Sequence, residues 1–449
     1  MNIRQDFAPG SGGRIAVVGA GISGLSAAWL LSQRHDVTLF ESDSRLGGHS
    51  NTVEVAGLAV DTGFIVYNEK TYPNLAALFA HIGVETRATE MSFAVSLDGG
   101  RLEYSGSGLR GLFAQPGNLL SPRFGSMLKD LLRFYRNAPR DLSSLGLDSL
   151  DSYLDANGYG AAFRDDHLYP MAAAIWSTPA AEVGRYPAAA FVRFCDNHGL
   201  LQIADRPAWR TVDGGSRRYV ERLRRRFQGR IESGCPVRAI LRHADGVTVH
   251  MGDGTERPFD HVVVATHADQ ALALVERPSR AERELLGAFR YSRNEAVLHS
   301  DPRLMPRRRA AWAAWNYLAD RRGDPRLCVT YWMNRLQHLP ESQPLFVTLN
   351  PIEPPSSDSV AYRTSYEHPL FDTDAIAAQE RLWSLQGDGG LWYCGAYFGA
   401  GFHEDGLQAG LAVAEALGGV RRPWRVAEES GRIALPPGGA APHLWERVS

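Results

Sequence analysis

The run RIAVVGAGISGLSAAWLLSQRHDVTLFE, residues 14–41, constrains the fold of this chain more than any other stretch. RIAVVG reads as a short buried strand rich in β-branched residues, LSAAWLLSQR as a helix of small and apolar residues, and DVTLFE as a second strand. Between the first strand and the helix lies Gly19-Ala20-Gly21-Ile22-Ser23-Gly24. In such a G-x-G-x-x-G turn the first glycine makes the tight bend and the second admits a pyrophosphate. The third lets helix pack on strand. The phosphates lie on the positive end of the helix dipole. The spacing alone is weak evidence. Set inside a complete βαβ unit whose second strand ends in an acid, Glu41, it is strong. A dinucleotide is therefore expected on Gly19, Gly21, Ile22, Ser23 and Gly24, with ribose hydroxyls on Glu41 beside Ser42.

The residues that follow choose between nicotinamide and flavin. Arg45-Leu46-Gly47-Gly48 resembles the flavoprotein extension of the fingerprint, in which glycines let the chain run against an extended diphosphate and the arginine approaches that charge. FAD is the expected cofactor. No second fingerprint is read, so no separate NADPH unit is expected, and electrons pass to oxygen or to an unknown carrier.

Later stretches read as the remainder of the same domain. Residues 209–215, WRTVDGG, form a turn into a helix at SRRYVERLRRRF. PVRAI and GVTVHM follow as strands, then FDHVVVATHADQAL as a strand breaking into loop and helix. LWYCGAYFGAGFHEDGLQAGLAVAEAL closes the domain as strand, glycine loop and long helix.

This order resembles the flavin-containing amine oxidase superfamily over residues 14 to 418. The resemblance implies an α/β fold: a Rossmann-like FAD-binding domain of glutathione-reductase/amine-oxidase type, interwoven with an α+β substrate domain that contains a helical subdomain. It assigns 13–75, 206–280 and 388–420 to the FAD domain. Residues 76–205 and 281–387 go to the substrate domain, helical over about 107–200, and 421–449 form a loop-rich tail. It further implies that His49, Thr62, Gly63, Val237, Gly395, Asp405, Gly406 and Leu407 meet the cofactor. The closing helix then points its positive end at the flavin ring.

Departures from the amine oxidases are informative. Amine oxidases keep a lysine in the substrate half, whereas this chain has only Lys70 and Lys129. The aromatic cage position usually held by tyrosine is Phe402, and His49 follows the R-x-G-G in place of an arginine. The runs YPMAAAIWSTP, AVLHSDPRLMP, VTYWMNRLQ, FVTLNP and CGAYFGAGFHEDGLQAG look like a bacterial subgroup linked to modification of membrane acyl chains, alongside cyclopropane-synthase-like methyltransferases. One activity of that subgroup desaturates a methylated, unsaturated acyl chain on the way to furan fatty acids. That resemblance implies a phospholipid acyl chain as substrate. Hydride leaves an allylic carbon, and a vicinal proton goes to a base. His403 and Glu404 are the first candidates for that base, ahead of Tyr331 and Asn334. The competing reading is that His403 and Glu404 merely hold the loop. A small-amine oxidase and a non-redox double-bond isomerase are the alternatives.

Bulk properties exclude little else. The net charge of −2 gives no reason to expect nucleic acid. The scattered Cys195, Cys235, Cys328 and Cys394 show no metal spacing and suit a reducing compartment. With no apolar run long enough to span a bilayer, the chain is expected in the cytoplasm, peripheral on the inner membrane face; a homodimer is left open. The basic helical run around Arg123 to Arg140 is the candidate dock, with Arg217–Arg226 and Arg303–Arg309 as further basic clusters; the competing reading is a domain-packing helix with a solvated polar face. A helix starting at Pro122 carries Arg123, Lys129, Arg133, Arg136 and Arg140, with Phe124, Leu128, Leu131 and Phe134 expected to dip into an anionic surface.

Overall fold

The computed structural model describes residues 12–146, 148–176, 180–202, 206–320 and 328–436. The end of the 169–179 stretch and the tail from Pro437 onward lie outside the described residues. The fingerprint folds as read. Arg14–Val18 forms a strand, Ile22–Leu31 a helix buried along its whole length, and Asp36–Glu41 the next strand, parallel to the first. A helix with no solvent face needs small residues, and Ser23, Gly24, Ser26, Ala27 and Ala28 supply them.

That unit recruits strands from far along the chain into one five-stranded sheet. In spatial order these are Arg230–Ser233, Asp36–Glu41, Arg14–Val18, His261–Val264 and Leu391–Tyr393. Every pairing is parallel, so all five carboxyl ends share one edge. The central strand has Asp36–Glu41 on one side and His261–Val264 on the other. Ligands of such sheets bind in the crevice outside that edge. The closing helix His403–Gly418 packs against Ile22–Leu31. Contact is close because a Cβ on Gly410 would stand 2.2 Å from the Ser23 carbonyl, and one on Gly406 would stand 2.8 Å from Ser23 Oγ.

A seven-stranded mixed sheet forms the second layer, in the order Val360–Leu370, Arg290–His299, Phe346–Leu349, Cys328–Trp332, Trp315–Ala319, Phe93–Leu97, Leu102–Ser105. A helical layer between residues 108 and 197 covers one side. Its longest member starts where the sequence places it. Pro122–Asp141 has proline in its first turn, and the Ser121 hydroxyl accepts from the Phe124 amide.

The reading of a single fingerprint needs correction. Gly106-Ser107-Gly108-Leu109-Arg110-Gly111 repeats the spacing. Its preceding strand, Leu102–Ser105, pairs antiparallel with Phe93–Leu97, and the helix that follows spans only Gly108–Leu112. It lines neither cavity described below and builds no second dinucleotide site.

Candidate functional site

Two cavities open from the carboxyl edge of the parallel sheet. The smaller, about 360 Å³, lies between Glu41, Ser42, Cys235, Val237, Arg238 and Thr266. The larger, about 380 Å³, runs from Gly19–Ser23 and Gly47–His49 into the space between the seven-stranded sheet and the helical layer. Gly19, Glu41 and Thr266 line both, so the two are halves of one extended site.

Each fingerprint glycine is required for a different reason. Gly19 adopts φ +100°, a conformation side chains rarely take. A Cβ on Gly24 would stand 1.9 Å from the Gly19 carbonyl. A Cβ on Gly21 would meet nothing within 4 Å, because it would point into the cavity at the start of the Ile22–Leu31 helix. That open space at a helix N-terminus is a cradle for a pyrophosphate. Gly48 approaches it from the other side: its Cβ would stand 3.2 Å from the Gly21 Cα. The Glu41 carboxylate accepts from the amides of Ala20 and Asp43 and from Ser42 Oγ, which fixes it at the junction of the cavities with acceptor capacity left for ribose. Val237 lines the smaller cavity.

Other expected contacts are corrected. Arg45 does not reach either cavity. Its guanidinium donates to the carbonyls of Leu46, Gly48 and Ser50, so it shapes the glycine loop rather than meeting the diphosphate. Gly395 lines the larger cavity, but Asp405, Gly406 and Leu407 do not. Asp405 is fully buried in an ion pair with Arg432, 2.7 Å, and accepts from the Phe402 amide. Gly406 donates to the Phe402 carbonyl and packs on Ser23. These glycines, far from the fingerprint in sequence, therefore serve two ends. Gly395 and Gly401 let the backbone border the cavity, and Gly406 and Gly410 let helix meet helix.

Of the expected catalytic residues, His403 and Tyr331 reach the larger cavity, and Glu404 and Asn334 do not. Glu404 is fully buried and accepts from Asn74 N, Asn74 Nδ2, Leu75 N and Gln408 Nε2; it ties the closing helix to the Pro73–Ile82 helix. Asn334 donates to the carbonyls of Pro340 and Gln343 and accepts from Leu345 N, holding a loop. His403 stacks on Phe64 with centroids 3.8 Å apart, its Nε2 within 2.9 Å of Ser50 Oγ and 3.1 Å of Tyr219 OH. Burial pushes its pKa down to about 3, so it is a neutral ring in the wall. Tyr331 pairs edge-on with Trp315, centroids 4.9 Å apart, from the neighbouring strand of the seven-stranded sheet.

Two groupings were only partly legible in the sequence, which singled out Tyr331, Phe402 and His49 but not their partners. One is an aromatic wall: Trp176 and Phe194 from the helical layer, Trp315 and Tyr331 from the sheet, and Phe402, stacked on Phe194 at 4.8 Å. The other gathers His267, His368 and Tyr366 around His49. His49 stands 5.1 Å from the Tyr366 ring and 5.6 Å from that of His368. His267 stacks on Tyr291 at 4.5 Å. Thr266 and His267 were findable, since they follow the end of a strand that feeds the crevice. Nothing in the local pattern around His368 marks it. Thr62 and Gly63 line the cavity, with the Thr62 hydroxyl 2.7 Å from Tyr366 OH.

Residues 22–298 match the family model of flavin containing amine oxidoreductases. The chain belongs to that family. A coproporphyrinogen III oxidase of Mycobacterium bovis is 28% identical over 298 residues, 61% of this chain and 64% of that protein. Protoporphyrinogen oxidase 2 of Arabidopsis thaliana is 42% identical over 78 residues, 17% of this chain and 15% of that enzyme. The chain thus spans less than two thirds of the length of these relatives. Among solved structures, a fatty acid isomerase from P. acnes that produces CLA shares the fold at TM-score 0.63 and 16% identity, covering 89% of this chain and 97% of that one.

FAD is the cofactor of this family member, and the residues fit it. Gly21 and Gly48 leave room for the pyrophosphate, Glu41 and Val237 border an adenosine-sized space, and Gly395, Gly401 and His403 border the space on the other side.

Proposed function

We propose that this family member is an FAD-dependent oxidoreductase that desaturates a methylated, unsaturated acyl chain of membrane phospholipid, a step towards furan fatty acids. The observation that carries the reading is the wall of the larger cavity beyond the fingerprint. Met91, Ile175, Trp176, Phe194, Leu200 and Leu349 offer an acyl chain apolar contact along its length. No lysine reaches the site, because Lys70 and Lys129 are both exposed on the surface. Among the described lining residues the carboxylates are Glu41, held by backbone amides, and Glu367, 3.5 Å from His267 Nδ1. The missing lysine disfavours a small-amine oxidase.

Bound FAD supplies a two-electron acceptor for the hydride of an allylic C–H bond. A vicinal proton passes to a base, for which His403 is the first candidate that reaches the cavity, a second C=C forms in conjugation, and oxygen or a carrier takes the electrons onward. The protein's part is to hold the chain between the Trp315–Tyr331 pair and the Phe194–Phe402 stack and to exclude water there. The fatty acid isomerase with this fold favours a second reading, double-bond migration without net oxidation. Mass spectrometry of phospholipid acyl chains, from cells with and without the protein, tests the proposal. A chain two mass units lighter is expected. An isomer of unchanged mass supports the second reading, and no change in any acyl chain refutes both.

A further inference from the structure

The exposed large apolar side chains of the described protein are Leu109, Leu119, Leu120 and Leu132, at 76%, 64%, 89% and 53% exposure. All four fall within one stretch of the helical layer, on Gly108–Leu112, Pro116–Leu120 and Pro122–Asp141. The sequence reading put other residues at this surface, and the structure corrects it. Phe124 and Phe134 are buried, and Leu128 and Leu131 pack against the core. Arg133 is also occupied: it bridges to Asp130 at 3.3 Å, donates to the carbonyls of Asn157 and Gly158, and lies over Tyr159.

What remains on the outer face is cationic. Over residues 101–140 the exposed ionised side chains are Arg101, Arg110, Arg123, Lys129, Arg136 and Arg140, while the acids, Glu103 and Asp130, are buried. Arg123 is paired with Asp166 at 2.7 Å and with Asp165, so it is left out of the count. Lys129, Leu132, Arg136 and Arg140 recur at helical spacing and share one face of the Pro122–Asp141 helix. At about 1.5 Å per residue, Leu132 stands roughly 15 to 18 Å along from Leu120. The inner face of the same helix packs on the Ala188–Asn197 helix, which carries Phe194 to the cavity wall.

We propose that this surface docks the protein on an anionic phospholipid bilayer, with Leu109, Leu119 and Leu120 entering the interface and Lys129, Arg136 and Arg140 on the headgroups. Leucines standing alone in solvent beside Lys129, Arg136 and Arg140, with no exposed acid over residues 101–140, match the apolar-beneath-anionic layering of such a membrane. The assignment deepens the lipid-substrate reading and rests on it only for preferring a bilayer to a second protein.

The test is co-sedimentation of the FAD-loaded protein with vesicles of phosphatidylcholine, alone or mixed with phosphatidylglycerol, at low and physiological salt. Binding is expected with phosphatidylglycerol only, weakening as salt shortens the reach of the charges to about 8 Å. Lys129→Gln, Arg136→Gln and Arg140→Gln together should lower the vesicle partition coefficient about a hundredfold. Leu119→Asp with Leu120→Asp should lower it at least about tenfold, with circular dichroism and FAD content unchanged because neither side chain is in the core. A parent that stays in the supernatant with anionic vesicles overturns the proposal, as do variants that bind like the parent. Equally contrary would be a parent dimer in sedimentation velocity that the double leucine variant dissociates, since the patch would then face a second copy. Turnover of detergent-dispersed lipid is read separately, so loss of docking and loss of the substrate reading are distinguishable.

Discussion

Replacing two glycines of one motif should give opposite kinds of damage. Gly21→Val adds a side chain whose Cβ meets nothing within 4 Å, so the protein without cofactor should fold and melt as the parent does. The new methyl groups fill the cradle at the start of the Ile22–Leu31 helix, where a pyrophosphate would accept charge-assisted hydrogen bonds from backbone amides. Losing two such bonds, at about 1.5–3 kcal/mol each, weakens FAD binding by roughly 150-fold or more. Gly24→Ala adds a smaller group in a worse place, 1.9 Å from the Gly19 carbonyl and 3.1 Å from the Ala265 Cβ. Strand and helix must separate, at a cost of about 1–3 kcal/mol or more. The assay is differential scanning fluorimetry of the stripped protein, paired with a flavin-fluorescence titration on readdition of FAD. Gly21→Val should keep its melting temperature and lose its affinity, and Gly24→Ala should lose melting temperature first. A Gly21→Val protein that binds FAD as the parent does would refute the placement of the pyrophosphate.

Three other outcomes follow from the geometry. Glu404→Ala leaves the donors of Asn74, Leu75 and Gln408 without their buried acceptor, and should destabilise the fold by about 3–5 kcal/mol in urea unfolding. Flavin-loaded molecules of that variant should turn over normally; a rate loss at full occupancy would restore Glu404 to the chemistry. Burial holds His167, His299 and His368 at about 4 and His198 and His403 at about 3, all below the ordinary 6.5. The unfolded chain therefore binds more protons at acid pH, so stability is full above about 6.5 and is lost as pH falls through that value towards 4. Each such histidine is worth about 2 kcal/mol at pH 5, and the melting temperature should drop steeply between pH 7 and 5. A flat profile would mean these rings are not buried neutral.

Legibility in the sequence followed the range of the interaction. The nucleotide-binding half was readable because each of its devices is local. Gly19, Gly21 and Gly24 answer to a turn, a cradle and a close contact within six residues, and Ser121-Pro122 starts a helix by capping and fixed φ. The strands at His261–Val264 and Leu391–Tyr393 were visible as short apolar runs, although their adjacency to the fingerprint depends on sheet order. Function-bearing acids misled because an ionised side chain in a glycine loop has the same sequence appearance whether it faces a cavity or a buried partner. Asp405 meets Arg432 and Glu404 meets Asn74, partners distant in sequence or lying in the tail. The helix at Pro122 was read correctly as amphipathic and its faces were exchanged. Apolar periodicity marks the side that packs, so Phe124 and Phe134 turned inward, and three of the four exposed leucines, Leu109, Leu119 and Leu120, precede the helix.

The central claim, that a lipid acyl chain rather than an amine is oxidised in the larger cavity, is tested most directly by anaerobic absorbance of the FAD-loaded protein. Phospholipid carrying a methylated, unsaturated chain should bleach the visible band of the oxidised flavin, while small mono- and polyamines leave it unchanged. Rapid bleaching by an amine, with none by the lipid, would contradict the account and return the protein to amine oxidation.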